Sequence, residues 1–340
     1  MQQRYLIIQT AYIGDVILSL PIAQVIKKNI DAEVDFLCIP KTSILVKNNE
    51  YIDNVIIYDK HGVDKGYIPF RNISKRIKFR RYDAVISPHR SLRSTFISYF
   101  SKSELTISFD KSALSSLYKV RVPYKKDIHE IQRNLMLLEP LGIKETKIIR
   151  PELFITDEDK KIVDLLLKKF NITENEKFIT VAPGSIWYTK QIPPHKLIGV
   201  LNLLSGNNIK IVFVGGKGDI ELSKYIVDKT ENENIHISAG KLNLLQSAEL
   251  IRRSRLLLTN DSAPLHIANS VGTKVIAVFG ATVPEFGFFP YGEKDVVFEV
   301  KGLKCRPCSI HGGKRCPIKT YECFERIEEE KIYEEIINSI

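Results

Sequence analysis

The stretch Thr259-Asn260-Asp261-Ser262-Ala263-Pro264-Leu265-His266 holds the densest set of groups able to grip a charged ligand. An apolar run ends at Thr259, and Pro264 falls at an early helical position, where a missing N–H costs nothing. The N–H groups of Ser262 and Ala263 then open a helix, a ready anion site. Asp261 can accept from a sugar hydroxyl, and His266 stands on the first turn of the same helix. Ala182-Pro183-Gly184-Ser185, followed by Trp187 and Lys190, ends another apolar run. Gly184 and Ser185 offer N–H and hydroxyl donors to phosphate, and Lys190 adds a point charge. A third turn, VGGKGD, places Gly216 at a strand end and Asp219 at the start of the next helix, where it can meet a ribose hydroxyl.

Thr10-Ala11-Tyr12-Ile13-Gly14-Asp15 is the fourth loop. Gly14 allows a tight backbone, and Asp15 sits at a helix N-terminus. Two readings stand for Asp15: a helix cap worth about 1 kcal/mol, or a carboxylate base kept ionised by the helix dipole. The glycine fingerprint of dinucleotide-binding turns is absent here, which argues against a nicotinamide or flavin cofactor. Four cysteines cluster as Cys305-x2-Cys308-x7-Cys316-x6-Cys323. A structural zinc, a packed set of reduced thiols and redox chemistry are the three readings, since cytosolic disulfides are disfavoured.

These loops need elements to hold them, and the chain supplies an alternation of short apolar runs and helical patterns. Strands are expected at Tyr5–Gln9, Val34–Ile39, Val55–Tyr58 and Ala84–Ser87, with helices between them and a helix over His129–Leu141. A polar, proline-containing linker near 148–156 ends in Thr156, whose pairing with Asp159 marks the cap of a helix over Asp157–Phe170. The alternation then restarts, with strands at Phe178–Ala182, Lys210–Val214, Ile235–Ile237, Leu256–Thr259 and Lys274–Phe279. Strands separated by helices of this length argue parallel sheets with right-handed crossovers, hence two doubly wound α/β domains with ligands at strand C-termini. The expected division is 1–152, 153–323 with the cysteine loop 305–323, and a closing acidic helix 324–340.

At 340 residues with 44% hydrophobic and 26% charged content, the chain is an ordinary globular protein rather than a disordered one. No apolar run reaches the length of a membrane span, and MQQRYLIIQT lacks signal-peptide anatomy, so the cytoplasm is the expected compartment. The net charge of +10 lies wholly in residues 1–150, with 25 Lys/Arg against 15 Asp/Glu. Its densest part is Arg71–Arg81, RNISKRIKFRR, which carries six cations and no acid. A half biased this way suits an acidic partner.

The segments YLIIQTAYIGDVILSLPIAQVIKK, APGSIWYTKQIPPHKL, LLLTNDSAPLHIANSVGTKVIAVFGAT and the closing CxxC…CP…C resemble glycosyltransferase family 9. Within it they are most similar to ADP-heptose–lipopolysaccharide heptosyltransferases, the second-heptose type above all, and DAVISPHRSLRS strengthens that likeness. The family usually has Gly after its Asp-Ser/Thr pair, where this chain has Ala263-Pro264, and Arg-Trp-Pro where this chain has Gln191-Ile192-Pro193. The resemblance implies a GT-B-like enzyme, two Rossmann-type domains facing across a cleft, inverting and without a covalent intermediate. It implies Asp15 as base, with Gly14, Arg90 and Arg93 on the acceptor side. Lys190 would serve catalysis and donor binding together, with Gly184, Ser185, Gly216, Asp219, Asp261, Ser262, Ala263 and His266 around the donor. An ADP-sugar donor, a phosphorylated lipid A–inner core acceptor and the anionic inner face of the inner membrane would be its partners. No cofactor is required on this reading, and nucleic acid is not a partner. The closing helix would return onto the first domain. The alternatives are a related enzyme using another nucleotide-sugar and a non-catalytic polyanion binder.

Overall fold

In a computed structural model, which describes residues 2–340, the chain divides into one compact unit ending at Phe154 and a second, Ile155–Ile340. Among the described residues, each unit carries a six-stranded, all-parallel sheet. The first contains β1 (Gln3–Ile8), β2 (Ala32–Cys38), β3 (Asn54–Ile57), β4 (Ala84–Ser87), β5 (Leu105–Phe109) and β6 (Val120–Val122). The second contains β7 (Phe178–Ala182), β8 (Lys210–Phe213), β9 (Ile235–Ile237), β10 (Leu256–Asn260), β11 (Lys274–Phe279) and β12 (Val296–Glu299). The orders are β3-β2-β1-β4-β5-β6 and β12-β11-β10-β7-β8-β9. Read from their own first strands these are one topology used twice, and each switches direction beside its first strand: between β1 and β4, and between β7 and β10. In such sheets the switch point is where ligands bind, at the strands' carboxyl ends.

The central strands are apolar because both faces are covered by helices. Leu6, Ile7 and Ile8 of β1 are fully buried, as are Leu256 and Leu257 of β10. The helix Ile13–Asn29 that follows β1 is buried from Val16 to Ile26 and contains Pro21. A helix apolar on all sides belongs inside a domain.

Three strands escape the sequence reading: β5, β6 and β12. Leu105–Phe109 reads LTISF, with two hydroxyl residues in five, and the other two are short edge strands. Thr156 caps its helix as expected, its hydroxyl accepting from Asp159 N–H at 3.2 Å. The helix expected over His129–Leu141 instead runs α-helical only through Glu130–Leu135 and tightens to a 3-10 turn over Met136–Leu141. Pro140 lacks the N–H that a continuing α-helix would use.

The acidic closing segment corrects a second expectation. It forms two helices, Glu322–Glu325 and Glu329–Ile337, with Ile327 between them. Phe324, Ile327, Ile332 and Ile336 enter the second unit's own core beside Leu197, Val200, Leu258 and Val278. Lys196 pairs with Glu329 at 3.4 Å and Lys274 with Glu335 at 2.5 Å, so its acids are matched by cations of that same unit. The segment is an integral part of the second unit's core.

Candidate functional site

In the first unit, the loop between β1 and the helix Ile13–Asn29 is fixed at several points. Lys60 Nζ donates to the Thr10 carbonyl at 2.6 Å, and Thr10 Oγ1 lies 3.0 Å from His89 Nδ1. Asp15 is the third residue of the helix, and its carboxylate accepts from Tyr12 N–H at 3.2 Å, closing a capping box. The capping role weighed for Asp15 is therefore present, and a carboxylate has lone pairs left for a second partner.

The loop after β4 carries His89, Arg90 and Arg93. His89 Nδ1 is ringed by the hydroxyls of Thr10, Ser94 and Ser91 at 3.0, 3.0 and 3.3 Å. Burial, with Lys60 and Arg90 nearby, pushes its pKa down to about 4, so the imidazole is neutral at physiological pH. Arg90 lies over the Tyr124 ring at 4.3 Å, and buried Arg133 lies over the same ring at 4.4 Å. Arg93 lies near Lys60 and Tyr58: burial, with Arg93 adding, lowers the Lys60 pKa, and burial raises that of Tyr58 against the pull of Arg93.

Glu130 completes this side. It forms a short bond with Arg133, and Asn134, one turn along, donates to the Leu18 carbonyl at 3.1 Å, tying its helix to that of Asp15. Burial raises the Glu130 pKa to about 7 against the pull of Arg133, with Asp15 adding to the rise. Asp15, Arg90 and Glu130 thus share one electrostatic neighbourhood.

In the second unit, Lys190 closes a 3-10 turn, Tyr188–Lys190, after β7. Its ammonium pairs with Asp261 at 2.6 Å, both side chains being nearly buried at 14% and 7% exposure. Thr282, three residues past β11, donates its hydroxyl to the same Asp261 oxygen at 2.6 Å. Ser262 is the N-cap and Ala263 the first residue of the helix Ala263–Val271, with Pro264 in its first turn. His266 is buried, and its Nδ1 has no hydrogen-bond partner among the described residues. Burial and the charge of Lys190 push its pKa down to about 3, so it too is neutral.

The remaining donor-side candidates gather on Asp219. Its carboxylate accepts from Gly216 N–H at 2.7 Å. A Cβ on Gly184 would lie 1.9 Å from Asp219 Oδ1, so a side chain there would displace that carboxylate. Ser185 follows directly, its hydroxyl accepting from Trp187 N–H at 3.3 Å. Asn260, fully buried at the end of β10, had given no separate signal in the sequence. Its amide donates toward the Ala182, Pro183 and Gly184 carbonyls at 3.3, 3.0 and 3.1 Å, while its oxygen accepts from Ile192 N–H at 2.8 Å. One side chain therefore holds both ends of the Gly184–Lys190 loop.

The cysteine loop, for which zinc, packed thiols and redox chemistry are the three readings, forms no disulfide among its described residues. Cys305, Cys308, Cys316 and Cys323 are all free. Cys308 Sγ points its bond at the Cys305 carbonyl, 3.3 Å away. Burial and neighbouring thiols raise Cys308 and push Cys323 to about 11, while against burial the backbone bonds from Tyr321 and its neighbours lower Cys316. Among the described residues no three Cys, His, Asp or Glu side chains are grouped to hold a metal ion.

The profile of glycosyltransferase family 9 (heptosyltransferase) matches residues 70–320. The chain is similar to a lipopolysaccharide heptosyltransferase 1 from Campylobacter coli, 26% identical over 291 residues that cover 81% of this chain and 83% of the relative. A glycosyl transferase family 9 structure from Veillonella parvula superposes with a TM-score of 0.88 at 22% identity, covering 99% of this chain and 97% of that one. The E. coli ADP-heptose lps heptosyltransferase II superposes at 0.80, 19% identical, covering 99% and 98%. The repeated topology is thus that of the GT-B fold, and the profile spans most of both units. The chain belongs to glycosyltransferase family 9 (heptosyltransferase), and it is a glycosyltransferase.

Proposed function

We propose that the protein transfers a heptose from ADP-heptose to a hydroxyl of a phosphorylated lipid A–inner core acceptor, with inversion at the anomeric carbon. The observation carrying this reading is the Lys190–Asp261–Thr282 cluster at the second unit's switch point, beside a helix N-terminus and an unpartnered buried His266 nitrogen. Cation, dipole and neutral imidazole together suit a diphosphate joined to a polyhydroxyl sugar. Gly184, Ser185, Gly216, Asp219, Ser262 and Ala263 line the same loops and would take the nucleotide and phosphates. In the first unit Asp15 would accept the acceptor hydroxyl's proton, with Gly14 giving the loop its close approach.

The chemistry balances without a covalent enzyme intermediate. The acceptor oxygen forms its bond to the anomeric carbon as the bond from that carbon to the phosphate oxygen breaks. The hydroxyl proton passes to the Asp15 carboxylate, and the electron pair leaves with ADP. Negative charge grows on the departing diphosphate, where Lys190 and the N–H groups at Ser262 and Ala263 stabilise it.

Arg90 and Arg93 would grip acidic groups of the acceptor, for which a guanidinium fork is suited. The helix Tyr67–Phe79 would meet the anionic inner face of the inner membrane. Its outward stripe is Ile68, Asn72, Lys75 and Phe79, opposite buried Ile73 and Ile77, with Ile68 70% and Phe79 84% exposed. Exposed Arg71, Arg76 and Lys78 flank that stripe, the pattern of a helix lying in a lipid interface. No helix among the described residues is long and apolar enough to cross a membrane. The deciding experiment is calorimetric titration with ADP, UDP, GDP and CMP, followed by donor screening by mass spectrometry. Preference for ADP and turnover of ADP-heptose support the reading; preference for another nucleotide, or binding to any polyanion without turnover, refutes it.

A further inference from the structure

The cysteine-rich loop is tied directly to Thr189, the chain neighbour of Lys190. Thr189, buried beside the donor lysine, exchanges two bonds with Gly313: its N–H donates to the Gly313 carbonyl at 3.0 Å, and its hydroxyl accepts from Gly313 N–H at 2.7 Å. The Thr189 carbonyl accepts from Ala281 N–H at 3.3 Å. All three of its polar groups are thus spent on the C-terminal loops.

Gly312 adds a steric contact to these bonds. Its φ is +82°, and a Cβ there would fall 2.9 Å from Lys190 Cγ and 3.1 Å from Thr189 Oγ1. Both the backbone conformation and the close approach require glycine. The lysine stem has no room to swing away, because its head is paired with Asp261.

The same loop secures the other member of that pair. Arg306, its side chain 4% exposed, donates to the Gly280 and Thr282 carbonyls at 2.6 and 2.7 Å and pairs with Glu299 at 2.7 Å. Cys308 N–H donates to the Ala281 carbonyl at 2.9 Å. Residues 280–282 are therefore clamped, and Thr282 is the residue whose hydroxyl holds Asp261.

We infer that the segment Arg306–Gly313 is a positioning clamp for donor binding, with Thr189 and Gly312 the residues through which it sets Lys190. The clamp fixes the lysine's stem from one side and, through Thr282, its carboxylate partner from the other. The inference rests on the proposal that Lys190 meets the donor diphosphate.

The test compares Thr189→Val, Thr189→Ser, Gly312→Ala and Lys190→Ala by ADP titration, by donor KM and kcat, and by thermal unfolding. Valine keeps the shape of Thr189 but leaves Gly313 N–H without its acceptor, so ADP affinity should fall roughly tenfold, the loss of one buried hydrogen bond. Donor KM should rise in step, with a smaller fall in kcat, and acceptor KM should not move. Serine should restore affinity to within about twofold, because the hydroxyl returns. Gly312→Ala should weaken ADP in the same direction. If Lys190→Ala weakens ADP while folded Thr189→Val and Gly312→Ala bind it like wild type, the clamp is refuted and the donor assignment survives. If Lys190→Ala itself leaves ADP affinity unchanged, the donor assignment fails and the clamp falls with it. Should Thr189→Val not fold, Gly312→Ala and the serine variant still decide the matter.

Discussion

Replacing Lys190 with Met removes the charge from an ion pair that is almost wholly buried. The two side chains meet at 2.6 Å and are only 14% and 7% exposed, so the Asp261 carboxylate loses its counter-charge in a place water scarcely reaches. Breaking such a pair from one side costs about 3–5 kcal/mol. The Thr282 hydroxyl, 2.6 Å from the same oxygen, still solvates it, which places the expected cost at the lower end, about 3 kcal/mol. For a unit of this size that is a fall of roughly 6–12 °C in the second unit's melting temperature. The double variant Lys190→Met/Asp261→Asn removes the stranded charge and should recover to within about 1 kcal/mol of wild type. Calorimetric or urea unfolding of all four proteins gives the cycle, and ADP titration gives the functional arm, where a lost charge-assisted bond predicts a 10–100-fold weakening, about 1.5–3 kcal/mol. Strictly additive single and double variants, or a Lys190→Met protein as stable as wild type, would show that the pair carries none of this energy.

Asp15→Asn should keep the fold and ADP affinity but lower turnover by about 10²–10⁴, the range of a general base; steady-state kinetics at saturating donor and acceptor will show it, and a near wild-type rate removes Asp15 from the mechanism. His266, with a native pKa near 3 against 6.5 for the free side chain, refuses a proton that the unfolded chain accepts. Stability of the second unit should therefore fall as pH drops below 6.5, by about 2 kcal/mol on reaching pH 5, and His266→Gln should flatten that slope in urea titrations. Two cations of the run Arg71–Arg81 should fail differently. Lys75→Gln should weaken binding to phosphatidylglycerol vesicles by about 1 kcal/mol in a salt-dependent way, sparing turnover on a delipidated acceptor. Arg80→Gln should instead lower first-unit stability, because Arg80 pairs at 2.7 Å with Asp35, a side chain only 1% exposed; equal unfolding curves for the two variants would contradict this division.

The sequence made the architecture legible because the central strands must be apolar on both faces, and β1, β4, β7 and β10 are. The edge strands β6 and β12 have fewer neighbours to satisfy, so their composition says less. Glycine, proline and charged residues marked the four loops, since a strand end that binds an anion needs those types locally. What the sequence hid is everything that acts at a distance. Asn260 reaches Gly184 and Ile192, Lys60 reaches Thr10, and Thr189 reaches Gly313, contacts set by how strands order in a sheet rather than by spacing along the chain. Arg80 shows the converse error: one of six clustered cations reads as surface charge until Asp35 is seen behind it.

The place of Phe324, Ile327, Ile332 and Ile336 bears on how the protein is made. The first unit is complete once Phe154 has been synthesised, and chains of this kind fold domain by domain from the N-terminus during translation. The second sheet has no such freedom. Its last strand ends at Glu299, but Phe324 must still arrive to fill the space against Gly280, where a Cβ would lie 2.1 Å from the Phe324 ring. Until then Leu197, Val200, Leu258 and Val278 lack their cover. A nascent chain therefore carries a finished first unit and an uncapped second sheet from the synthesis of Glu299 until Phe324 follows, an interval in which a chaperone has much to protect.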